Sequence, residues 1–194
     1  AYESIVEFEN IILKENSIAL DSYESDARFN NCLFYLNHWN DFNRGNHEFI
    51  NCTFYQNSGN LTWWYDGSIN IVNSILWENS FTYTNPNDDD NIIIITYSNV
   101  ENEYNGIGNT NNNPLFVSPD NQDFSLLNTS PCIDAGDPDF DGDGENHNTD
   151  LDDQDPDGTR MDMGAYYFDQ TTSYAGPIWY INNDGSDEND GSEN

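Results

Sequence analysis

Four short stretches of this chain can be laid on one another: FENIILKEN from Phe8, FNNCLFYLN from Phe29, FINCTFYQN from Phe49 and IVNSILWEN from Ile71. Asn10, Asn31, Asn51 and Asn73 fall in one column, and Asn16, Asn37, Asn57 and Asn79 fall in a second. A fifth, weaker copy, ITYSNVENE from Ile95, keeps the apolar positions and loses both asparagines. No other feature restricts the fold as tightly. A unit of about twenty residues cannot bury an apolar face alone, so it must stack on its neighbours, which is the logic of a solenoid. The segments are too short for helices. They are rich in Ile, Phe, Tyr and Asn and are separated by Gly, Asn and Asp, so each reads as a strand unit.

Alternation after the first asparagine assigns faces. Ile11, Cys32, Cys52 and Ser74 are expected to point inward, as are Leu13, Phe34, Phe54 and Leu76. Ile12, Leu33, Thr53 and Ile75 are expected to point out, with Lys14, Tyr35, Tyr55 and Trp77 beyond them. Stacked parallel strands repeat at ~4.8 Å. Asparagines at matching turns can then hydrogen-bond along the stack, and both columns are expected to form such ladders.

Composition narrows the partners. The formal charge is -32, with only four Lys and Arg. Nucleic acid and anionic membranes are excluded, because binding either needs a basic surface. Divalent cations and neutral or cationic ligands remain. Aromatic residues at 14% argue against general disorder despite the mean hydropathy of -0.80. The longest apolar run, IIIIT from Ile92, reads as a buried strand, and no run is long enough to insert in a membrane. Cys32, Cys52 and Cys132 form no C-x-x-C pair. Cys32 and Cys52 fall in one inward column, where either a bridge or two buried thiols is compatible with the spacing.

The F-x-N-C-x-F-x-x-N repeat resembles the coils of secreted bacterial right-handed parallel β-helix repeat proteins. The stretch NPLFVSPDNQDFSLLNTSPCIDAGD from Asn113, followed by DPDGTRMDMGAYYF from Asp155, resembles their closing segment, in which Ser-Pro-x-Ile-Asp-Ala-Gly and Asp-x-Gly-Ala-Tyr recur. The resemblance covers roughly residues 8–168 and implies an all-β, right-handed parallel β-helix with about 20–24 residues per coil. It also implies an extracellular, surface-attached protein. GPIWYINNDG from Gly176 resembles the opening of a further β-helix, so Ile178, Trp179, Tyr180 and Ile181 are expected to form an assembly strand that pairs with a tandem or head-to-tail neighbour. The chain thus divides into coils over 1–112, a closing segment over 113–170, and a linker and strand over 171–194.

The closing segment carries thirteen acidic residues between Asp134 and Asp169, with Arg160 as the one fixed cation among them. DFDGDGENHNTD fits the calcium loop D-x-[DN]-x-[DN]-G-x5-[DE]. Asp139, Asp141 and Asp143 take its first three ligand positions, Glu145 offers a carbonyl, and Asp150 closes it. Side chains at i, i+2 and i+4 of a tight loop can converge on Ca²⁺, which takes six to eight oxygens. Asp153, Asp155, Asp157 and Asp162 form a second, incomplete set. Pro138 and Pro156 interrupt the region, so calcium loops on a β scaffold are expected rather than helix-flanked ones.

No acidic pair stands out as an acid/base dyad, and the histidines form no metal-hydrolase pattern, so a non-enzymatic role is expected. Tyr35, Tyr55 and Trp77, with Trp63 and Trp64 on a neighbouring turn, offer an aromatic surface for a glycan, another chain or a covering loop. The expected function is a calcium-stabilised extracellular building block that associates head-to-tail into a fibre or long adhesin. The alternative is a carbohydrate-binding or carbohydrate-cleaving module.

Overall fold

The computed structural model describes residues 5–17, 22–23, 25–39, 42–43, 45–60, 67–82 and 92–171. The protein is all-β with parallel sheets, and among the described residues the sole helical turn is a 3-10 turn at Pro119–Asn121. In the first sheet, β1 (Val6–Glu9), β4 (Ala27–Asn30), β8 (Gly45–Ile50), β11 (Gly67–Val72) and β14 (Ile92–Thr96) lie side by side in that order. In the second, β2 (Ile12–Lys14), β5 (Leu33–Tyr35), β9 (Thr53–Tyr55), β12 (Ile75–Trp77) and β15 (Asn99–Val100) do the same. A third sheet joins β6 (His38–Trp39), β10 (Ser58–Asn60) and β13 (Ser80–Thr82), and β3 (Ser22–Tyr23) pairs with β7 (Phe42–Asn43).

Every one of these pairings is parallel and joins equivalent residues of successive repeats. Phe8 pairs with Phe29, Phe29 with Phe49 and Phe49 with Ile71, and the weak fifth copy pairs in register through Ile71 and Ile95. Like residues therefore stack. The Phe8 and Phe29 rings lie 4.8 Å apart, Phe29 and Phe49 4.9 Å, and Phe34 and Phe54 4.9 Å, all nearly parallel. Those spacings match the strand repeat, so backbone pairing and ring stacking satisfy one geometry at once. With Cys32, Cys52, Ile69, Ile71 and Leu76 these rings make the first core; the expected inward positions lie in it or against it, apart from Ser74, which is buried as a polar residue.

The two asparagine columns differ, and here the double-ladder expectation needs correction. The second column is a ladder. Asn37 Oδ1 accepts from the Asn16 amide, Asn57 Oδ1 from the Asn37 amide, and Asn79 Oδ1 from the Asn57 amide. The side-chain Nδ2 of Asn37, Asn57 and Asn79 donates to the carbonyls of Leu13, Phe34 and Phe54. The first column instead holds the left-handed corner between the first two sheets. Asn10, Asn31, Asn51 and Asn73 have φ of 55, 52, 49 and 51°, a region asparagine tolerates better than most residues. No hydrogen bond among the described residues links one of these side chains to the next. The ladder at that corner runs one residue later: Ser74 Oγ accepts from the Cys52 amide, Ser98 Oγ from the Ser74 amide, and Asn109 Oδ1 from the Ser98 amide.

The outward face is the second correction. Ile12 is exposed as expected, but Leu33, Thr53 and Ile75 are buried. So are Tyr35 and Tyr55, at 4% and 6% exposure. They point away from the first core into a second one, supplied by Phe116, Phe124, Leu126, Cys132, Met163 and Ala165. An antiparallel pair, β16 (Phe116–Ser118) and β17 (Asp123–Leu126), presents Phe116, Phe124 and Leu126 of that cover. The Tyr55 ring stands edge-on to Phe116 and Phe124, and the Tyr35 hydroxyl bonds Gln122 Oε1 at 2.7 Å. Of the three alternatives for these two tyrosines, the covering segment is the one the structure shows, and neither ring is open to a glycan or another chain. Trp77 is half-buried against the same cluster. Cys32, Cys52 and Cys132 are buried free thiols.

Candidate cation site in the closing segment

The closing segment has little regular structure, yet it is fixed at several points. Gly164 N donates to Asn73 O at 2.8 Å, and Ala165 N to Thr53 Oγ1 at 2.9 Å. Gly164 sits at φ 104°, and a Cβ there would lie 2.8 Å from Ile75 Cδ1, so this residue must be glycine for the segment to lie on β9 and β12. Asn73 Oδ1 accepts from the Asp137 amide, so a corner asparagine also anchors the start of the acidic loop.

Within that loop, ligand oxygens of Asp139, Asp141 and Asp143 lie within 4.8 Å of one another, the one such acidic group among the described residues. The backbone explains the convergence. Gly142 and Gly144 have φ of 75 and 90°, which turns the chain sharply between alternate aspartates. Asp141 Oδ1 accepts from the Asp143 amide, Asp143 Oδ1 from the Glu145 amide, and Asp139 Oδ1 from the Gly144 amide. Each of the three carboxylates thus anchors the turn through one oxygen and keeps acceptor capacity on the other. Glu145 is exposed, and its amide is what the structure ties to the loop. Asp150 lies outside the converging group; its Oδ1 accepts from the Asp152 amide.

The second expected set does not gather into one cage; it divides. Asp153 is fully buried. Its Oδ1 accepts from the Phe140 amide at 2.5 Å, while Oδ2 is buried with no hydrogen-bond partner. Burial raises its pKa, with the charges of Asp150, Asp141 and Asp139 adding to the shift. Asp155 and Asp162 form a buried pair. Asp155 Oδ2 accepts from the Asp162 amide, and Asp162 accepts from the amides of Asp134 and Phe168 on its two oxygens. Burial, then mutual repulsion, pushes Asp155 up to about 7, and burial pushes Asp162 up to about 6. Raised carboxyl pKa values can mark acid/base catalysts. Here, though, the oxygens fasten backbone amides, which is a structural task. Burial also opposes ionisation of Asp157, but the Gln170 and Thr159 amides and the Thr159 hydroxyl outweigh it and hold its pKa low. Arg160 caps the carbonyls of Ala135 and Gly136 and so braces the segment with its one fixed cation.

A groove of about 610 Å³ runs between the first asparagine column and this segment, lined by Asn10, Asn31, Asn51, Tyr166 and Tyr167 among others. Asn51 Oδ1 in it has no partner. Trp63, Trp64, Ile178, Trp179, Tyr180 and Ile181 lie outside the described residues. The sequence reading missed Asn109 as a ladder member, because it stands eleven residues from Ser98 in a loop. It also misgrouped Asp153, whose link to Phe140 runs against its place beside Asp155. Comparisons with family models, with curated proteins and with solved structures gave no match.

Proposed function

We propose that this chain is a right-handed parallel β-helix serving, without a catalytic role, as a calcium-stabilised structural or adhesive unit outside the cell. The observation that carries the reading is the convergence of Asp139, Asp141 and Asp143 in a loop anchored, through Asn73, to the stacked strands. Equivalent residues pair in register over five repeats, which is the pairing a solenoid of this kind requires. The stack is a stiff rod, and the net charge of -32 makes bound cations valuable to it. A cation bound only by the folded chain at a hundredfold excess over Kd stabilises it by ~2.7 kcal/mol. Head-to-tail association, in which strands of one unit pair with those of the next, belongs to the same proposal. So does the three-part division at 112 and 170.

The test is a thermal melt in Ca²⁺ and in EDTA with light scattering at rising protein concentration. The reading expects a higher Tm in calcium and concentration-dependent scattering. An unchanged Tm removes the cation, and flat scattering removes the assembly. A second reading, a carbohydrate-binding module, is favoured by the groove, whose amides and exposed Tyr166 and Tyr167 rings are suited to a sugar. It expects a monomer that binds a defined glycan, with Tyr167→Ala weakening the binding.

A further inference from the structure

We propose that Asp153, and not Asp150, supplies the fourth carboxylate of the cation site formed by Asp139, Asp141 and Asp143; this rests on the cation reading above. The calcium-loop pattern assigns the closing ligand to the twelfth position, Asp150; both it and Asp153 stand outside the three-residue group, but only Asp153 is fully buried with an oxygen that lacks a partner. Asp153 is tied to the loop itself. Its Oδ1 is held by the amide of Phe140, the residue between Asp139 and Asp141, and the negative charges acting on it are those of Asp150, Asp141 and Asp139.

The second oxygen is the key. Oδ2 of Asp153 is buried, with no donor from the protein, in a residue that is 0% exposed. Leaving a buried carboxylate oxygen without a donor is costly, and the negative charges of Asp150, Asp141 and Asp139 acting on it add to the cost. A divalent cation removes both penalties. It gives Oδ2 a positive partner and neutralises the charges that converge on the loop. The ligand class is a hard, oxygen-seeking cation, and Ca²⁺ suits an irregular set of carboxylates better than Mg²⁺, which demands near-ideal octahedral geometry. Asp153 would also couple the site to the fold, because its buried position fixes one wall of an otherwise exposed loop.

The experiment is calorimetric titration of Ca²⁺ into the chelator-treated full chain, for wild type, Asp153→Asn, Asp150→Asn and Asp141→Asn, with melts of each in EDTA. Asparagine keeps an oxygen for the Phe140 amide, so the fold is retained. The expected result is at least a tenfold loss of affinity at the tightest site for Asp153→Asn and Asp141→Asn, and less than threefold for Asp150→Asn. In EDTA, Asp153→Asn should melt at or above wild type, because a buried charge has been removed. Wild-type affinity in Asp153→Asn, with Asp141→Asn impaired, overturns the role of Asp153 and leaves the cation reading standing. An Asp150→Asn loss as large as that of Asp153→Asn overturns the choice between the two. No calcium heat from wild type overturns both proposals.

Discussion

The stacked strands and the closing segment solve one problem by opposite means. Both must satisfy a backbone that turns often and, among the described residues, makes no long helix. Among the strands, the partner of each backbone group is the backbone of the next repeat, and corner groups are met by asparagine and serine side chains of the next repeat. In the closing segment, among the described residues, no repeat supplies these partners, and aspartates take over. Asp137, Asp141, Asp143, Asp150, Asp157 and Asp169 each accept from the amide two residues on, which is the Asx turn. The acidic stretch is therefore scaffolding before it is anything else. The comparison teaches that high charge density here has a local structural cause, and that a cation site can arise where such turns bring three carboxylates together.

The largest effect should come from the first core, and it should ignore calcium. Phe34 is fully buried and stacked on Phe54. Phe34→Ala should cost about 3–5 kcal/mol in urea denaturation, by the same amount in Ca²⁺ and in EDTA. A loss that depends on calcium would break the separation between the two regions.

Acid should separate them by sign. Asp155 and Asp162, with folded pKa values raised to about 7 and about 6, contribute stability that is full below the unfolded value, and lost as pH rises through 6 and 7. His47, buried among the strands, is lowered to about 4 by its burial, against the opposing charge of Asp26. Its contribution is full above the unfolded value near 6.5 and lost as pH falls through about 4. In EDTA, Asp162→Asn should flatten the neutral limb of a Tm–pH curve, an effect on the order of 1–3 kcal/mol. His47→Gln should flatten the acid limb alone. Identical curves for the two variants would show that net charge, not these groups, sets the profile.

The two asparagine columns should also part company. Asn57→Ala leaves the Asn37 amide and the Phe34 carbonyl without their partner in a buried setting, at about 1–3 kcal/mol for each group orphaned. Asn31→Gly should be close to neutral, since glycine accepts φ 52° freely, at a cost below about 1 kcal/mol. Equal losses in chemical denaturation would return the first column to the ladder role. The smallest effect should be Arg28→Gln, which removes a half-exposed bridge from Glu7 and Glu48 and should change stability by about 0–1 kcal/mol, less in high salt.

The repeat made much of this legible in advance. Period, strand units, inward faces and both asparagine columns are local properties, because each follows from which residues recur and whether they alternate. Tertiary structure decided which column hydrogen-bonds: both corners turn left-handed, at Asn51 and Asn73 in one and at Leu36 and Gln56 in the other, and in each the ladder falls on the residue after the turn. It also decided the fate of Leu33, Tyr35, Thr53, Tyr55 and Ile75. Nothing in their own repeats says they are covered, and the cover comes from Phe116, Phe124 and Met163, far along the chain. The acidic loop falls between these cases. Sequence alone placed Asp139, Asp141 and Asp143 on one turn, because i, i+2 and i+4 converge wherever glycine lets the chain turn back. Only the folded segment separated Asp153 from Asp155, burying both but tying one to the Phe140 amide in the loop and the other to the Asp162 amide, because a side chain's partners are set by what packs on it and not by its place in the chain.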